Sequence, residues 1–111
     1  ISSTAEIGRN IQLLAGSIIG AFASIGDYSI INSGANVDHD CTIGRHCHLA
    51  PRAALAGEIT VEDNVFVGTN ATILPRLRIG SGAAVGAGAV VTKDVSTGVV
   101  VAGNPARPLV R

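Results

Sequence analysis

Residues 19–49 read IGAFASIGDYSIINSGANVDHDCTIGRHCHL, and every sixth position is a large aliphatic: Ile19, Ile25, Ile31, Val37, Ile43 and Leu49. The series runs on without a slip, from Ile7 and Leu13 before it to Leu55, Val61, Val67, Ile73, Ile79, Val85 and Val91 after it. A period of six suits neither an α-helix nor a lone strand. It is the mark of a hexapeptide β-helix, in which each hexad forms one short side of a coil.

A second register lies two residues before each aliphatic. Ala5, Ile11, Ser17, Ala23, Ser29, Ala35, Cys41, Cys47, Ala53, Ile59, Val65, Ala71, Leu77, Ala83, Ala89 and Val95 are all small or apolar. Each hexad therefore sends one large and one mostly small side chain inward. The residue after the aliphatic is often glycine (Gly8, Gly20, Gly26, Gly44, Gly68, Gly80, Gly86), which suggests a tight turn there. Three hexads close a triangular coil of 18 residues, so the 90 residues from Ile7 to Ser96 make five coils. At about 4.8 Å per coil the prism is roughly 24 Å tall.

Composition agrees with one all-β domain over residues 1–111. Formal net charge is zero, which argues against a nucleic-acid or anionic-membrane partner. Aromatics make up only 3%, as a narrow coil has little room for rings. No apolar run reaches the ~20 residues of a membrane helix. Cys41 and Cys47 fall in the small inward register on adjacent sides of a coil, and read as buried structural thiols. The chain holds no methionine and starts at Ile1, so an N-terminal portion is expected to precede it.

The three histidines, His39, His46 and His48, lie within half a coil. His39 occupies an outward register, in the column Ala21, His39, Gly57, Pro75, Lys93. Its neighbours above and below are small. Asp40 follows it, and a carboxylate beside an imidazole orients the ring and raises its basicity. Such a pair suits deprotonation of an amine or hydroxyl, though an exposed histidine with a solvated acidic neighbour reads equally well. His48 is nine residues on, which is half a coil, so the two rings sit on roughly opposite sides of one prism. If both serve one site, it lies between two chains, as three prisms around a threefold axis would allow. His46 reads as a surface residue. The spacing argues against a metal site, since three ligands on one ion must converge.

The stretch from Asn36 to Gly44 (NVDHDCTIG), then His46-Cys47-His48-Leu49-Ala50-Pro51, resembles one branch of the hexapeptide acyltransferases. That branch comprises the sialic acid O-acetyltransferases and the nucleotide 4-amino-sugar N-acetyltransferases. The segment 86–95 (GAGAVVTKDV) and the ending Val101-Ala102-Gly103-Asn104-Pro105-Ala106-Arg107 strengthen the likeness. The resemblance implies a left-handed parallel β-helix and an acetyl-CoA-dependent, metal-free sugar acetyltransferase. It further implies a cytoplasmic homotrimer with sites between subunits. In it His39 looks like the general base, Asp40 its acidic partner, and His48 a contact to acetyl-CoA. Thr69 and Ala87 match positions whose backbone holds the pantetheine arm, and the register sets them 18 apart in one column on the His48 side. Gly57, beside His39, leaves room for the thioester. The N-terminal domain that holds the sugar nucleotide in this branch is absent from residues 1–111.

The favoured reaction is direct acetyl transfer to the amine of a nucleotide-linked amino sugar. Two alternatives stand beside it: O-acetylation of a sialic acid, and a non-catalytic hexapeptide scaffold. The wider serine, maltose and xenobiotic acetyltransferases fit less well, because they often extend a loop near the catalytic histidine and this chain has no insertion.

Overall fold

The computed structural model describes residues 1–109. Its strands are two residues long, one to each hexad from Glu6–Ile7 to Val90–Val91, and no helix occurs among the described residues. The strands stack into three parallel sheets, one per side of a triangular prism. Partners are 18 residues apart: Glu6 pairs with Ser24, Val37 with Leu55, Leu49 with Val67. The fold is the left-handed parallel β-helix of hexapeptide repeats.

Both inward registers form the core. From Ile19 to Val91 every sixth-position aliphatic is at most 2% exposed. Each such side chain contributes about 1.5–3 kcal/mol by leaving water. Ile7 and Leu13, by contrast, are exposed and half-buried, since among the described residues they have a neighbouring coil on one side only. Ser29 is the buried polar member of the small register, and its hydroxyl donates to the Gly44 carbonyl at 2.9 Å. Cys41 and Cys47 are buried free thiols that donate in the same way to the Ala56 and Glu62 carbonyls, both at 3.0 Å. Burial raises both thiol pKa values, which keeps them protonated and inert.

The turns differ from the expectation for glycine. The left-handed position is three residues after each aliphatic from Ile7 to Val85, at Asn10, Phe22, Tyr28, Asp40, His46 and their equivalents. The glycines directly after the aliphatics have no positive φ. They serve close approach instead: a Cβ on Gly26 would stand 2.6 Å from the carbonyl carbon of Gly44 in the next coil.

The hexad rhythm stops after Val91. Val95 bridges to Ile79, and the strand Val100–Ala102 pairs with Ala84–Val85 at a spacing of 16. Arg107–Pro108 then folds back antiparallel on Val101–Ala102. Together with the N-terminal residues these segments lengthen the molecule to 41 × 22 × 19 Å, beyond the roughly 24 Å expected of five coils alone.

Candidate active site

His39 and Asp40 occupy the corner that follows the strand Asn36–Val37. Asp40 takes the left-handed turn position, with φ 59°, a conformation that aspartate tolerates better than most residues. The turn brings Asp40 Oδ2 to 3.0 Å from His39 Nδ1. With the carboxylate on Nδ1, the ring proton belongs there, and Nε2 is left with its lone pair. Asp38 braces the turn by accepting the His39 backbone N–H at 2.7 Å. The His39 side chain is 52% exposed. Its pKa lies above the ordinary value, chiefly through the Asp40 hydrogen bond; partial burial opposes this, and the charges of Asp38, Asp40 and Glu58 reinforce it.

Gly57 stands one coil beyond His39 and is buried. A Cβ built on it would collide with His39 Nε2 and Cε1. The space beside Gly57 is therefore filled by the imidazole itself, in place of the open room expected for a thioester.

His48 begins the strand His48–Leu49 on a different sheet from Asn36–Val37, and shares no hydrogen bond with His39. Its outward ring is half-buried, in register between Ile30 and Phe66. The Phe66 ring meets it edge-on, with centroids 5.4 Å apart. Asn32 Nδ2 lies 3.3 Å from His48 Nε2, while Asn32 Oδ1 accepts the Ser33 N–H at 2.7 Å. The second bond orients the amide, so Nδ2 donates to Nε2. With Nε2 accepting, the His48 ring proton sits on Nδ1.

Asn32 was not among the residues singled out from the sequence. The columns there step by 18, whereas Asn32 reaches His48 diagonally across 16 residues. An asparagine after Ile31, at a position where several other hexads carry glycine, was the available signal.

Thr69 and Ala87 are exposed corner residues following Phe66–Val67 and Ala84–Val85, which share the His48 sheet. Thr69 C=O accepts the Gly88 N–H at 2.8 Å. Among the described residues, the N–H groups of Thr69 and Ala87 have no protein acceptor. Two unpaired donors one coil apart can receive the carbonyls of an extended chain. His46, given no role from the sequence, stacks on Tyr28 with centroids 5.0 Å apart. Among the described residues no group of three His, Cys, Asp or Glu side chains converges as metal ligands.

The family described as bacterial transferase hexapeptide (six repeats) matches residues 23–57 and 58–93. Among curated proteins, a 2,3,4,5-tetrahydropyridine-2,6-dicarboxylate N-acetyltransferase of Staphylococcus aureus is 47% identical over 74 residues, 60% of this chain and 31% of the relative. Among solved structures, the acetyltransferase domain of PglB from Neisseria gonorrhoeae in complex with acetyl coenzyme A superposes with a TM-score of 0.95 at 38% identity, covering 97% of this chain and 53% of that one. PerB from Caulobacter crescentus, in complex with CoA and GDP-perosamine, superposes with a TM-score of 0.85 at 41% identity, covering 98% and 56%. The chain thus spans about a third of that curated relative and about half of these two structures.

Proposed function

The chain belongs to the bacterial transferase hexapeptide family, and from that premise we propose that it transfers acetyl from acetyl-CoA to the amine of a nucleotide-linked amino sugar. The observation that carries this is the His39–Asp40 pair, a half-exposed imidazole with Nδ1 held by a carboxylate and Nε2 as the free base. The likeness to solved structures holding acetyl coenzyme A, or CoA with GDP-perosamine, supports the two substrates.

In the reaction the amine lone pair attacks the thioester carbonyl, and His39 Nε2 takes the proton that the nitrogen sheds. The C–S bond then breaks, and the proton passes to the departing thiolate, so that amide and free CoA result. No acyl-enzyme is required. Nδ1–H of His48 is a donor for the acyl carrier, and the free N–H groups of Thr69 and Ala87 suit the amide carbonyls of a pantetheine arm. In this arrangement the arm rises along the prism toward the C-terminal end. Lys93 lies three coils beyond His39 on the same corner, roughly 14 Å away. It lines a pocket with Arg107, where two cations suit the cofactor's phosphates.

Since His39 and His48 stand on different sheets of one prism, a common site joins two subunits, and we assign the protein a homotrimeric form. N-acetylation is favoured over O-acetylation because the curated relative is named as an N-acetyltransferase and PerB is held with an amino-sugar nucleotide. The test is His39→Ala assayed with acetyl-CoA and a panel of nucleotide amino sugars, GDP-perosamine first. Loss of a general base lowers turnover by about 10²–10⁴-fold, with the fold intact because the ring points outward. Wild-type turnover in that variant removes His39 from the mechanism.

A further inference from the structure

Phe22 occupies the same turn position as Asp40, one coil earlier. It has φ 59° and is 66% exposed. A bulky aromatic at positive φ is an outlier, and at this register glycine or asparagine fits without strain. Tyr28, another aromatic in a left-handed turn, has its ring stacked on His46; no aromatic partner is found for Phe22 among the described residues. Its backbone is tied down: the Phe22 N–H donates to Thr4 Oγ1 at 3.1 Å, and Thr4 Oγ1 lies 3.0 Å from Ser2 Oγ. The Asp40 N–H donates to the Ala21 carbonyl at 2.9 Å, which locks the Phe22 corner directly beneath the His39–Asp40 corner. The two levels are about 4.8 Å apart.

The corner is therefore asymmetric about His39. On the C-terminal side stand Gly57, Glu58 and Arg76, in the direction assigned to the cofactor arm. On the N-terminal side stands a bare aromatic ring, on a coil that also exposes Ile18. We propose that Phe22 positions the acceptor, its ring forming the floor on which the apolar C–H face of the amine-bearing sugar rests. This rests on the reading of the chain as an amino-sugar acetyltransferase. An amine brought to His39 from the side opposite the cofactor places its sugar ring at the level of Phe22. An aromatic face is flat, apolar and costs little side-chain entropy to hold in place.

The test compares wild type, Phe22→Asn and Phe22→Trp in acetyl transfer to the same panel of nucleotide amino sugars, with subunit assembly followed by light scattering. Asparagine suits the turn, so folding is preserved and melting temperature is unchanged or higher. The expected result for Phe22→Asn is an acceptor KM raised roughly three- to tenfold, the worth of one aromatic contact, with acetyl-CoA KM and particle mass unchanged. Phe22→Trp is expected to stay near wild type. An unchanged acceptor KM in Phe22→Asn overturns the proposal while leaving the activity in place. So does a fall in particle mass, which makes the ring a subunit contact. If wild type transfers acetyl to no amino-sugar nucleotide, the functional reading itself fails, and this proposal with it.

Discussion

The ring of His39 fills the space that a side chain at Gly57 would need. The column of 18-residue steps puts the two residues one above the other, and the missing Cβ lets the imidazole lie against the prism. The carboxylate of Asp40 then meets Nδ1 at 3.0 Å. A base is thus held from two sides by two neighbours of opposite character, one a charge and one an empty place.

Gly57→Ala is expected to push the imidazole outward. Gly57 has no positive φ, so the new methyl acts on the ring and not on the backbone conformation. Displacing a catalytic group by about 1 Å can cost on the order of 10²-fold. The expected outcome is a fall in kcat of that order, with melting temperature nearly unchanged. Steady-state kinetics beside a thermal melt separate the two.

The raised pKa of His39 sets the acid limb of the pH–rate profile. Only the neutral ring accepts a proton, so kcat/KM falls as pH drops through the His39 value. Asp40→Asn replaces the charged acceptor behind the largest cause of the rise, the Asp40 hydrogen bond, with a neutral one. The acid limb then moves to lower pH, while the plateau drops by roughly tenfold as the base weakens. A limb that stays in place on Asp40→Asn would assign the titration to another group.

Asn32→Ala releases His48 Nε2 from its donor and lets the ring adopt either tautomer. One lost hydrogen bond corresponds to about two- to tenfold in binding. The rise is expected in the acetyl-CoA KM and not in the acceptor KM. Binding of CoA measured by calorimetry gives the same answer without turnover.

Acid stability tests the other corner of the prism. Asp27 accepts the Arg9 backbone N–H at 2.8 Å and lies 3.7 Å from both the Arg9 and Arg45 guanidinium groups. That backbone bond, with the two cations, holds its pKa below the ordinary 3.8. A lowered carboxyl pKa stabilises the fold above the unfolded value, and this is lost as pH falls through the folded value. Asp27→Asn keeps an acceptor for the N–H but cannot titrate. Its melting temperature should therefore be lower than wild type at neutral pH and decline less on acidification below about pH 4.

The hexad series made the prism legible because a period of six leaves one arrangement that buries every sixth aliphatic. The His39–Asp40 pair was legible for a related reason: adjacent residues at a known corner must share a side. What escaped the sequence was diagonal or filled. Asn32 touches His48 across 16 residues, and an 18-step column passes it by. Gly57 looked like empty room because a column shows which residues are stacked, not how far a ring leans over its neighbour. The glycines after the aliphatics looked like turn formers. Their role appears only when the next coil's backbone is in place, 2.6 Å from where a Gly26 Cβ would stand.

One measurement bears most directly on a base from one subunit working on a cofactor held by another. His39→Ala and Ala87→Trp are each made, the second blocking the exposed corner where the pantetheine arm is placed, and the two chains are co-expressed. Each variant alone is expected to be nearly inactive. In mixed assemblies, an intact His39 and an unblocked Ala87 corner meet at about a quarter of the shared sites by random association, so acetyl transfer should recover toward that fraction of wild type. Two stable variants that form mixed assemblies yet recover no activity would place the whole site within a single chain and contradict the account.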